Sequence, residues 1–264
     1  MILVFGGTTE GKKVAALLNS EELPFVYSTK TEIDFKPSNN AIYRFGALNE
    51  IQLKEFIIKQ KVTTIIDAAH PFAEILHQTI NNVTQTTNTP IVRFNRIYPT
   101  RKINELVHYV NGYDEALSLF KTKYKGKILL ALTGVQSILK LAPYWKNTLA
   151  YFRILNRTSS IDLALKNNFP KKQLILGFPN KTVAAEVAVF KEKKIEIIIT
   201  KESGNSGALS VKIEAALNLN IPIIIIKKPK IPSYFKQVFD VEELRSLLLS
   251  NHTTPLITQN IERR

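Results

Sequence analysis

The sequence contains no cysteine among its 264 residues. This absence excludes disulfide bonds, zinc sites made of thiolates and cysteine nucleophiles. Histidine is also scarce: His70, His77, His108 and His252 are the only four, and no two of them have a spacing typical of metal ligands, so we expect no metal site.

Long apolar runs are lacking as well. The run at residues 221–226 is far shorter than the roughly 20 residues that cross a bilayer, so we expect no membrane contact. The first five residues lead at once into Gly6 and Gly7, without the basic stretch, longer apolar run and cleavage site of a secretory signal. We therefore expect a cytoplasmic protein.

Positive charge is concentrated in one part of the chain. Residues 1–100 contain ten Lys or Arg and nine Asp or Glu, a net charge of +1, whereas residues 101–264 contain 26 and 13, a net charge of +13. Such a field attracts nucleic acid, a membrane surface or a small polyanion. A lysine-rich, solvated surface that keeps the protein soluble is the simpler alternative, and charge alone leaves both open.

Short apolar runs alternate with stretches of helical spacing along most of the chain. The predicted strands are at residues 2–5, 24–28, 41–45, 63–67, 91–94, 107–110, 127–132, 149–155, 173–176, 195–200 and 222–227. Strands that are apolar throughout favour parallel sheets covered on both faces, and the alternation with helices favours doubly wound α/β topology.

Eleven strands are many for one sheet, so we expect two Rossmann-like α/β domains with mainly parallel sheets and a cleft between them. Proline interrupts the pattern at residues 96–104, where the charge balance also changes. We therefore predict a first domain at residues 1–100, a basic second domain at 101–250 and a polar tail at 251–264.

A glycine-rich turn directly follows the first strand. It reads Gly6, Gly7, Thr8, Thr9, Glu10 and Gly11, and a helix follows. Glycines let the backbone approach phosphates, and free N–H groups at a helix N-terminus point at them. The spacing departs from G-x-G-x-x-G, and the turn lacks the Gly-Lys-Ser/Thr of a P-loop. Its position directly after the first strand nevertheless favours dinucleotide binding over a purely structural role.

The end of the second strand indicates which dinucleotide. An NAD site usually has an acidic residue there, whereas this strand ends near Ser28 and Lys30, which suit a 2′-phosphate. We therefore predict NADPH as the cofactor, although Glu32 lies two residues further on.

The fourth strand ends in Asp67 and a loop with His70 and Pro71. Ligands of open α/β sheets bind beyond the carboxyl ends of strands, so we expect this loop beside the glycine turn, with Pro71 starting the next helix. His70 could contact the cofactor or act as a general acid, or it could be a capping or buried structural histidine.

A second polar loop follows the strand at residues 195–200. Lys201, Ser203 and Gly204 lie in this loop, and Lys212 lies on the helix after it. The composition suits binding of a carboxylate or a phosphate, but it is equally typical of an ordinary connection between a strand and a helix.

Taken together, these motifs resemble precorrin-6A reductases of the CobK/CbiJ type. The matching segments are residues 6–10, 67–73 and 200–204, together with 132–134, 152–155, 212–216 and 222–229, in the same order over roughly residues 1–230. The sequence departs from the family pattern at Gly11, where alanine is common, and at Lys30, which stands near a usual arginine. The segment at residues 67–70 also has alanine where the family usually has threonine. The loop at residues 203–207 also departs from a tighter glycine pair. None of these departures removes a charged or turning group.

The resemblance implies an NADPH-dependent oxidoreductase of cobalamin biosynthesis that reduces one carbon–carbon double bond of precorrin-6A or cobalt-precorrin-6A. Cofactor contacts are then expected from Gly6, Gly7, Thr8, Thr9, Glu10, Gly11, Ser28, Lys30, Asp67, His70 and Pro71. Substrate carboxylates are expected on Arg153, Lys201, Ser203, Gly204 and Lys212, with His70 as the catalytic proton donor and Glu202 as a partner that could orient Lys201.

Two alternatives belong to other functional classes. A non-catalytic NADPH-binding sensor would share the glycine turn but would not need the loop near residue 200. A nucleic-acid-binding protein would interleave aromatic residues with lysines, a pattern that is weak here, so we expect no nucleic-acid partner. The expected partner is a polycarboxylate tetrapyrrole substrate, bound by a monomer or a weak homo-oligomer.

Overall fold

The computed structural model describes residues 1–250, and the predicted polar tail at 251–264 lies outside them. The described residues divide into two compact units, the first made of residues 1–96 and 229–250, the second made of Ile97–Lys228. The strands are β1 (Ile2–Phe5), β2 (Phe25–Thr29), β3 (Ala41–Phe45), β4 (Thr64–Asp67), β5 (Ile91–Phe94), β6 (Val107–Val110), β7 (Leu129–Leu132), β8 (Ala150–Ile154), β9 (Leu174–Leu176), β10 (Ile197–Lys201), β11 (Ile223–Ile226) and β12 (Lys236–Val238).

Nine α-helices connect or flank these strands within residues 1–250. They are α1 (Thr9–Ser20), α2 (Glu50–Lys59), α3 (Glu74–Thr87), α4 (Tyr113–Thr122), α5 (Ala142–Trp145), α6 (Thr158–Lys166), α7 (Val183–Glu192), α8 (Leu209–Asn218) and α9 (Val241–Ser250). In this part of the chain, no helix combines the length and the hydropathy that crossing a membrane requires.

The first sheet has the strand order β12-β5-β4-β1-β2-β3, and every pair is parallel. This is the order of dinucleotide-binding α/β folds, with helices on both faces. All four residues of β1 are buried, and two separate apolar clusters cover the two sides of the sheet. A run of four apolar residues therefore forms a strand here because both of its faces need apolar contacts.

The second sheet has the order β6-β11-β10-β7-β8-β9, and it is also parallel throughout. From β7 the chain adds β8 and β9 on one side, and then β10 and β11 on the other. The expectation of an α/β fold with two mainly parallel sheets is confirmed.

The C-terminal segment corrects the predicted domain limits. The chain leaves the first unit at Ile97, inside the segment predicted as the boundary, but it returns at Pro229 instead of staying in the second domain to residue 250. β12 pairs with β5, and Leu244 and Leu248 of α9 join the core that contains Val14 of α1. Apolar burial on α1, which sequence periodicity does not specify, determines where this segment packs.

Candidate functional site

The chain changes direction across the first sheet between β1 and β4. From β1 it proceeds to β2 and β3, and β4 then pairs on the opposite side of β1. Open α/β sheets bind ligands at the carboxyl ends of the strands at such a point. Thr8 joins the two loops there, because its hydroxyl donates to the carbonyl of Ala68 at 2.6 Å and accepts the N–H of Gly11 at 2.9 Å.

Two structural features require glycine at different positions of this turn. A Cβ on Gly6 would overlap the ring of Tyr27, and a Cβ on Gly11 would lie 2.7 Å from the Tyr27 hydroxyl and 2.8 Å from Gly6 Cα. Gly6 and Gly11 thus permit the close packing of α1, β1 and Tyr27. Gly7 is exposed with φ +85°, a conformation that favours glycine.

Tyr27 packs against the glycine turn and holds its conformation. It is fully buried, stacks on Phe35 with ring centroids 4.2 Å apart, and its hydroxyl accepts the N–H of Gly7 at 3.0 Å. Burial raises the pKa of Tyr27, so the phenol stays protonated at neutral pH. One backbone amide of the turn is therefore held by the protein itself, which fixes the conformation of the loop.

Glu10 and Thr9 lie on the first turn of α1 in different environments. Thr9 is exposed, whereas Glu10 is buried and pairs with Arg96 at 2.9 Å. Because its carboxylate faces an arginine after β5, Glu10 holds the first turn of α1 to the end of β5. This position does not favour the predicted cofactor contact.

Asp67 lies at the centre of a buried ion network and not on the ligand-facing surface. It has no exposed area, and it contacts Arg93 Nη1 at 2.8 Å and His77 Nδ1 at 2.9 Å. Burial alone would raise its pKa, but Arg93, His77 and the N–H of Ala69 together hold the pKa below its usual range. Since Arg93 also donates to the Ala69 carbonyl at 2.9 Å, the network shapes the loop after β4, and the predicted cofactor contact of Asp67 is not favoured.

His70 and Pro71 form a turn and not the start of a helix. The His70 carbonyl accepts the N–H of Ala73 at 2.8 Å, with Pro71 at the second position of the turn, and α3 begins three residues later than predicted, at Glu74. His70 is half-buried, and its Nδ1 accepts the N–H of Phe72 at 3.2 Å. This contact assigns the proton of the neutral ring to Nε2.

At the neighbouring end of β2, Ser28 and Lys30 have different exposures. Lys30 is exposed, whereas Ser28 is buried and its hydroxyl accepts from Arg44 Nη1 at 2.5 Å. Ser28 and Arg44 are register partners on β2 and β3. The predicted phosphate-binding position therefore also contains an arginine, Arg44, that the sequence analysis did not single out.

The second sheet has a corresponding point between β7 and β10. The loop after β7 contains Thr133 and Ser137, whose hydroxyls are 2.6 Å apart, and Gly134 with φ +81°. Tyr113, the first residue of α4, hydrogen-bonds to both hydroxyls, and burial raises its pKa to about 12. A group of neutral hydroxyls therefore lies at the carboxyl end of β7.

The loop after β10 is built around Glu202 and two glycines. Glu202 is buried and accepts two hydrogen bonds from Arg101, at 2.8 and 3.1 Å, and one from the N–H of Lys228 at 2.9 Å. Burial alone would raise the pKa of Glu202, but Arg101 and Lys228 hold it below its usual range. Glu202 thus pairs with Arg101, a partner that the sequence analysis did not name.

The other predicted residues of this loop are close to the surface or just beneath it. Lys201 is half-buried at the end of β10, while Ser203 and Gly204 are buried. A Cβ on Gly207 would overlap the Ser203 side chain, so glycine is needed there for the loop to close over Ser203.

Arg153 and Lys212 lie in a buried group that we call the Arg153–Glu186–Lys212 cluster. Arg153 Nη1 and Nη2 donate to the fully buried carboxylate of Glu186 at 2.5 and 2.9 Å. Lys212 is 3% exposed, and its Nζ lies 3.4 Å from the Thr200 hydroxyl. Burial lowers the pKa of Lys212 to about 8, with Glu186 opposing this effect and Arg153 adding to it. Side chains this deeply buried do not favour the predicted direct contact with substrate.

Sequence reasoning missed several residues that shape both sites. Tyr27, Arg44, Arg93 and Arg96 act in the first unit, and Arg101, Tyr113 and Glu186 act in the second. Each of them is a charged or hydroxyl-bearing residue in or next to an apolar strand or helix. This pattern identifies a site residue only when the strand register is known. Within residues 1–250, no group of three or more His, Asp or Glu residues is arranged to hold a metal ion.

Comparisons with known proteins agree with the resemblance. The chain is 27% identical to cobalt-precorrin-6A reductase of Methanothermobacter thermautotrophicus over 90% of its own length and 80% of that protein. It is 27% identical to the same enzyme of Priestia megaterium, covering 88% and 91%, and 26% identical to precorrin-6A reductase of Rhodococcus erythropolis, covering 91% and 94%.

A solved structure has the same fold. CobK precorrin-6A reductase superimposes with a TM-score of 0.76 at 20% identity, covering 96% of this chain and 98% of that one. The family model described as precorrin-6x reductase CbiJ/CobK matches residues 1–248. Because this match spans nearly the whole sequence, the chain belongs to the precorrin-6x reductase family, CbiJ/CobK, and is an oxidoreductase.

Proposed function

We propose that this protein uses NADPH to reduce one carbon–carbon double bond of cobalt-precorrin-6A or precorrin-6A, a step of cobalamin biosynthesis. The observation that carries the proposal is the glycine turn at the switch point of a sheet with dinucleotide-binding order, in a chain of this family. A cytoplasmic location and a monomeric or weakly associated state belong to the same proposal.

The first unit fits a dinucleotide. The N-terminus of α1 offers backbone N–H groups to a pyrophosphate, and the exposed Gly7 lets the phosphates approach the backbone closely. Tyr27, which accepts the Gly7 N–H, and Thr8 hold the turn in place. When bound, NADPH supplies the hydride. In this proposal Gly6, Gly11, Glu10 and Asp67 shape the site, while Gly7, Thr8, Thr9 and the His70–Pro71 turn face the cofactor.

His70 is the proposed proton donor for the second carbon of the double bond. In this role the ring would donate a proton from its imidazolium form and return to the neutral form, in which Nδ1 accepts the Phe72 N–H. The turn after β4, braced by the Asp67 network, holds the ring beside the glycine turn to which Thr8 links it. A positioned acid of this kind typically contributes about 10²–10⁴-fold to rate.

The second unit is proposed to bind the substrate carboxylates. Residues 97–228 contain 21 Lys or Arg and nine Asp or Glu, a net charge of +12, which favours a polyanionic ligand. We assign carboxylate contacts to Lys201 and to the loop that contains Ser203 and Gly204. Arg153 and Lys212 are assigned a supporting role beneath this edge of the sheet.

The test is NADPH oxidation by the purified protein, with precorrin-6A prepared with and without cobalt. Turnover with either substrate supports the proposal and identifies the preferred one. NADPH binding without turnover would instead indicate a sensor, and salt-dependent oligonucleotide binding without NADPH binding would indicate a nucleic-acid partner.

His70→Gln tests the proton donor. We expect kcat to fall by about 10²-fold or more, with a much smaller change in NADPH affinity. His108→Gln in the second unit is the matched control, and it should retain turnover because His108 contacts Tyr124, away from either switch point. Full turnover by the His70 variant would remove the general-acid role.

A further inference from the structure

Arg44 is a half-buried cation without an acidic partner in the part of the chain that the structure describes. The other arginines of the first unit in residues 1–250 do have one: Arg93 pairs with Asp67, Arg96 with Glu10, and Arg245 with Glu21 and Glu242. Removing a cation from water without a counter-ion costs free energy. This cost lowers the pKa of Arg44 and would be offset by an anion that binds to it.

The guanidinium of Arg44 is nevertheless held in one orientation. Nη1 donates to the Ser28 hydroxyl at 2.5 Å, and Nη2 donates to the carbonyls of Phe45 and Gly46 at 3.2 and 2.9 Å. The group also lies over the Phe56 ring, 5.8 Å from its centroid. Residues 1–250 thus provide acceptors for three of the five N–H donors, which leaves Nε–H and one Nη1–H for a ligand.

The place of Arg44 in the sheet decides which ligand group it would meet. Arg44 is the register partner of Ser28, so it lies at the carboxyl ends of β2 and β3. The glycine turn is adjacent, since a Cβ on Gly7 would lie 3.6 Å from Thr29 Cγ2. In folds of this strand order, the adenosine ribose of the dinucleotide lies at the end of the second strand, where an arginine accommodates a 2′-phosphate.

We propose that Arg44, oriented by Ser28 and assisted by Lys30, binds the 2′-phosphate of the cofactor and determines the preference for NADPH over NADH. This inference rests on the proposed function. It also revises the role of Ser28, which is only 2% exposed and therefore positions the guanidinium instead of contacting the phosphate. The planar fork of an arginine suits a phosphate better than the point charge of a lysine does.

The experiment measures binding by calorimetry and needs no tetrapyrrole. Wild-type protein and Arg44→Gln are titrated with NADPH, NADH, 2′,5′-ADP and 5′-AMP, and the last pair differs only in the 2′-phosphate. Loss of hydrogen bonds to a charged group should weaken NADPH and 2′,5′-ADP binding by about 10- to 100-fold and leave NADH and 5′-AMP nearly unchanged. Ser28→Ala should give a smaller loss of the same preference, and Arg44→Lys should fall between wild type and Arg44→Gln.

Lys236→Gln is the matched control, because it removes one exposed positive charge from β12, at the opposite edge of the first sheet from β3. It should leave the preference intact. If the wild type prefers NADPH and all Arg44 variants keep that preference, the inference about Arg44 is wrong and the proposed cofactor stands. If the wild type binds NADPH and NADH equally, the proposed cofactor itself fails. Should Arg44→Gln not fold, the Ser28→Ala and Arg44→Lys titrations decide the same question.

Discussion

Lys212 should destabilise the second unit at neutral pH. The structure holds its ammonium at 3% exposure, with a pKa of about 8 in place of 10.5. At about 1.36 kcal/mol per pKa unit, this lowering corresponds to about 3 kcal/mol that the folded state loses while the group is charged. We therefore predict that Lys212→Met, which keeps the volume and removes the charge, increases the free energy of unfolding at pH 7.

The expected gain is smaller than the full electrostatic cost. The substitution also removes the contact between Lys212 Nζ and the Thr200 hydroxyl, which is long at 3.4 Å and contributes about 1 kcal/mol at most. The net increase should be about 2 kcal/mol. The bidentate pair of Arg153 with Glu186 remains in the variant, so no carboxylate is left unpaired.

The pH dependence of the free energy of unfolding tests independently whether charged Lys212 is destabilising. Between the folded pKa of about 8 and the unfolded value of 10.5, the unfolded chain holds a proton that the folded state has released, so stability rises with pH. The rise should reach about 2 kcal/mol between pH 8 and 9.5 in the wild type and be absent in Lys212→Met. Measurements should stop there, because Tyr113 and Tyr144, whose pKa values are raised to about 12, reduce stability as pH increases above their unfolded value of 10.0.

Trp145 makes the assay specific to this unit. It is the only tryptophan of the chain, its Nε1 donates to the Ile138 carbonyl at 2.7 Å, and its ring packs edge-on against Phe169. Urea unfolding followed by its fluorescence therefore reports on the second unit. Lys191→Met on the exposed face of α7 is the control and should change stability by less than about 0.5 kcal/mol. A wild-type stability that is flat from pH 8 to 9.5, or a KM for substrate that rises tenfold in Lys212→Met, would refute the burial argument.

Three further substitutions test other parts of the fold. Gly6→Ala should cost about 1–3 kcal/mol in thermal unfolding and weaken NADPH binding, because its Cβ would overlap Tyr27. Gly112→Ala, whose Cβ would meet no atom within 4 Å, should cost less than Gly6→Ala. Asp67→Asn should cost about 3–5 kcal/mol in urea unfolding followed by circular dichroism, because it leaves Arg93 buried and unpaired. Because the pKa of Asp67 is lowered, the wild type should also lose this stability as pH falls below about 4, and the variant should not. Tyr144→Phe should cost about 1–2 kcal/mol by Trp145 fluorescence, since the Lys127 carbonyl loses its donor at 2.7 Å, and an unchanged midpoint would contradict this assignment.

The strands were predictable because their burial is nearly complete. β11 consists of four isoleucines that are all at most 3% exposed, and such a run has few alternatives to a central parallel strand. β12 escaped prediction because it contains Lys236, Gln237 and Val238, of which only the valine is buried. Its place in the first sheet depends on pairing with β5, a contact between residues more than 140 positions apart.

The site was predictable in its position and less so in its residues. Strand ends and glycine turns follow from the sequence, and they correctly placed the loops after β1 and β4 together. Sequence gives the type of a side chain but not its direction, so Asp67, Arg153 and Lys212 were expected to face a ligand. Each of them instead points into the protein, where ion pairs or hydrogen bonds balance the cost of burying polar groups.

In the second unit, ion pairs determine which charges contribute to the field that a ligand meets. β7 and β10 stand to each other as β1 and β4 do in the first sheet, so both units present a loop pair at a switch point. Arg153 and Glu186 neutralise each other beneath that edge, and Arg101 neutralises Glu202 beside it. The four buried charged residues of the second unit within residues 97–228, which are Arg153, Glu186, Glu202 and Lys212, together carry no net charge. A net charge of +12 over residues 97–228 is therefore concentrated on the exposed surface, where a polycarboxylate ligand would meet it.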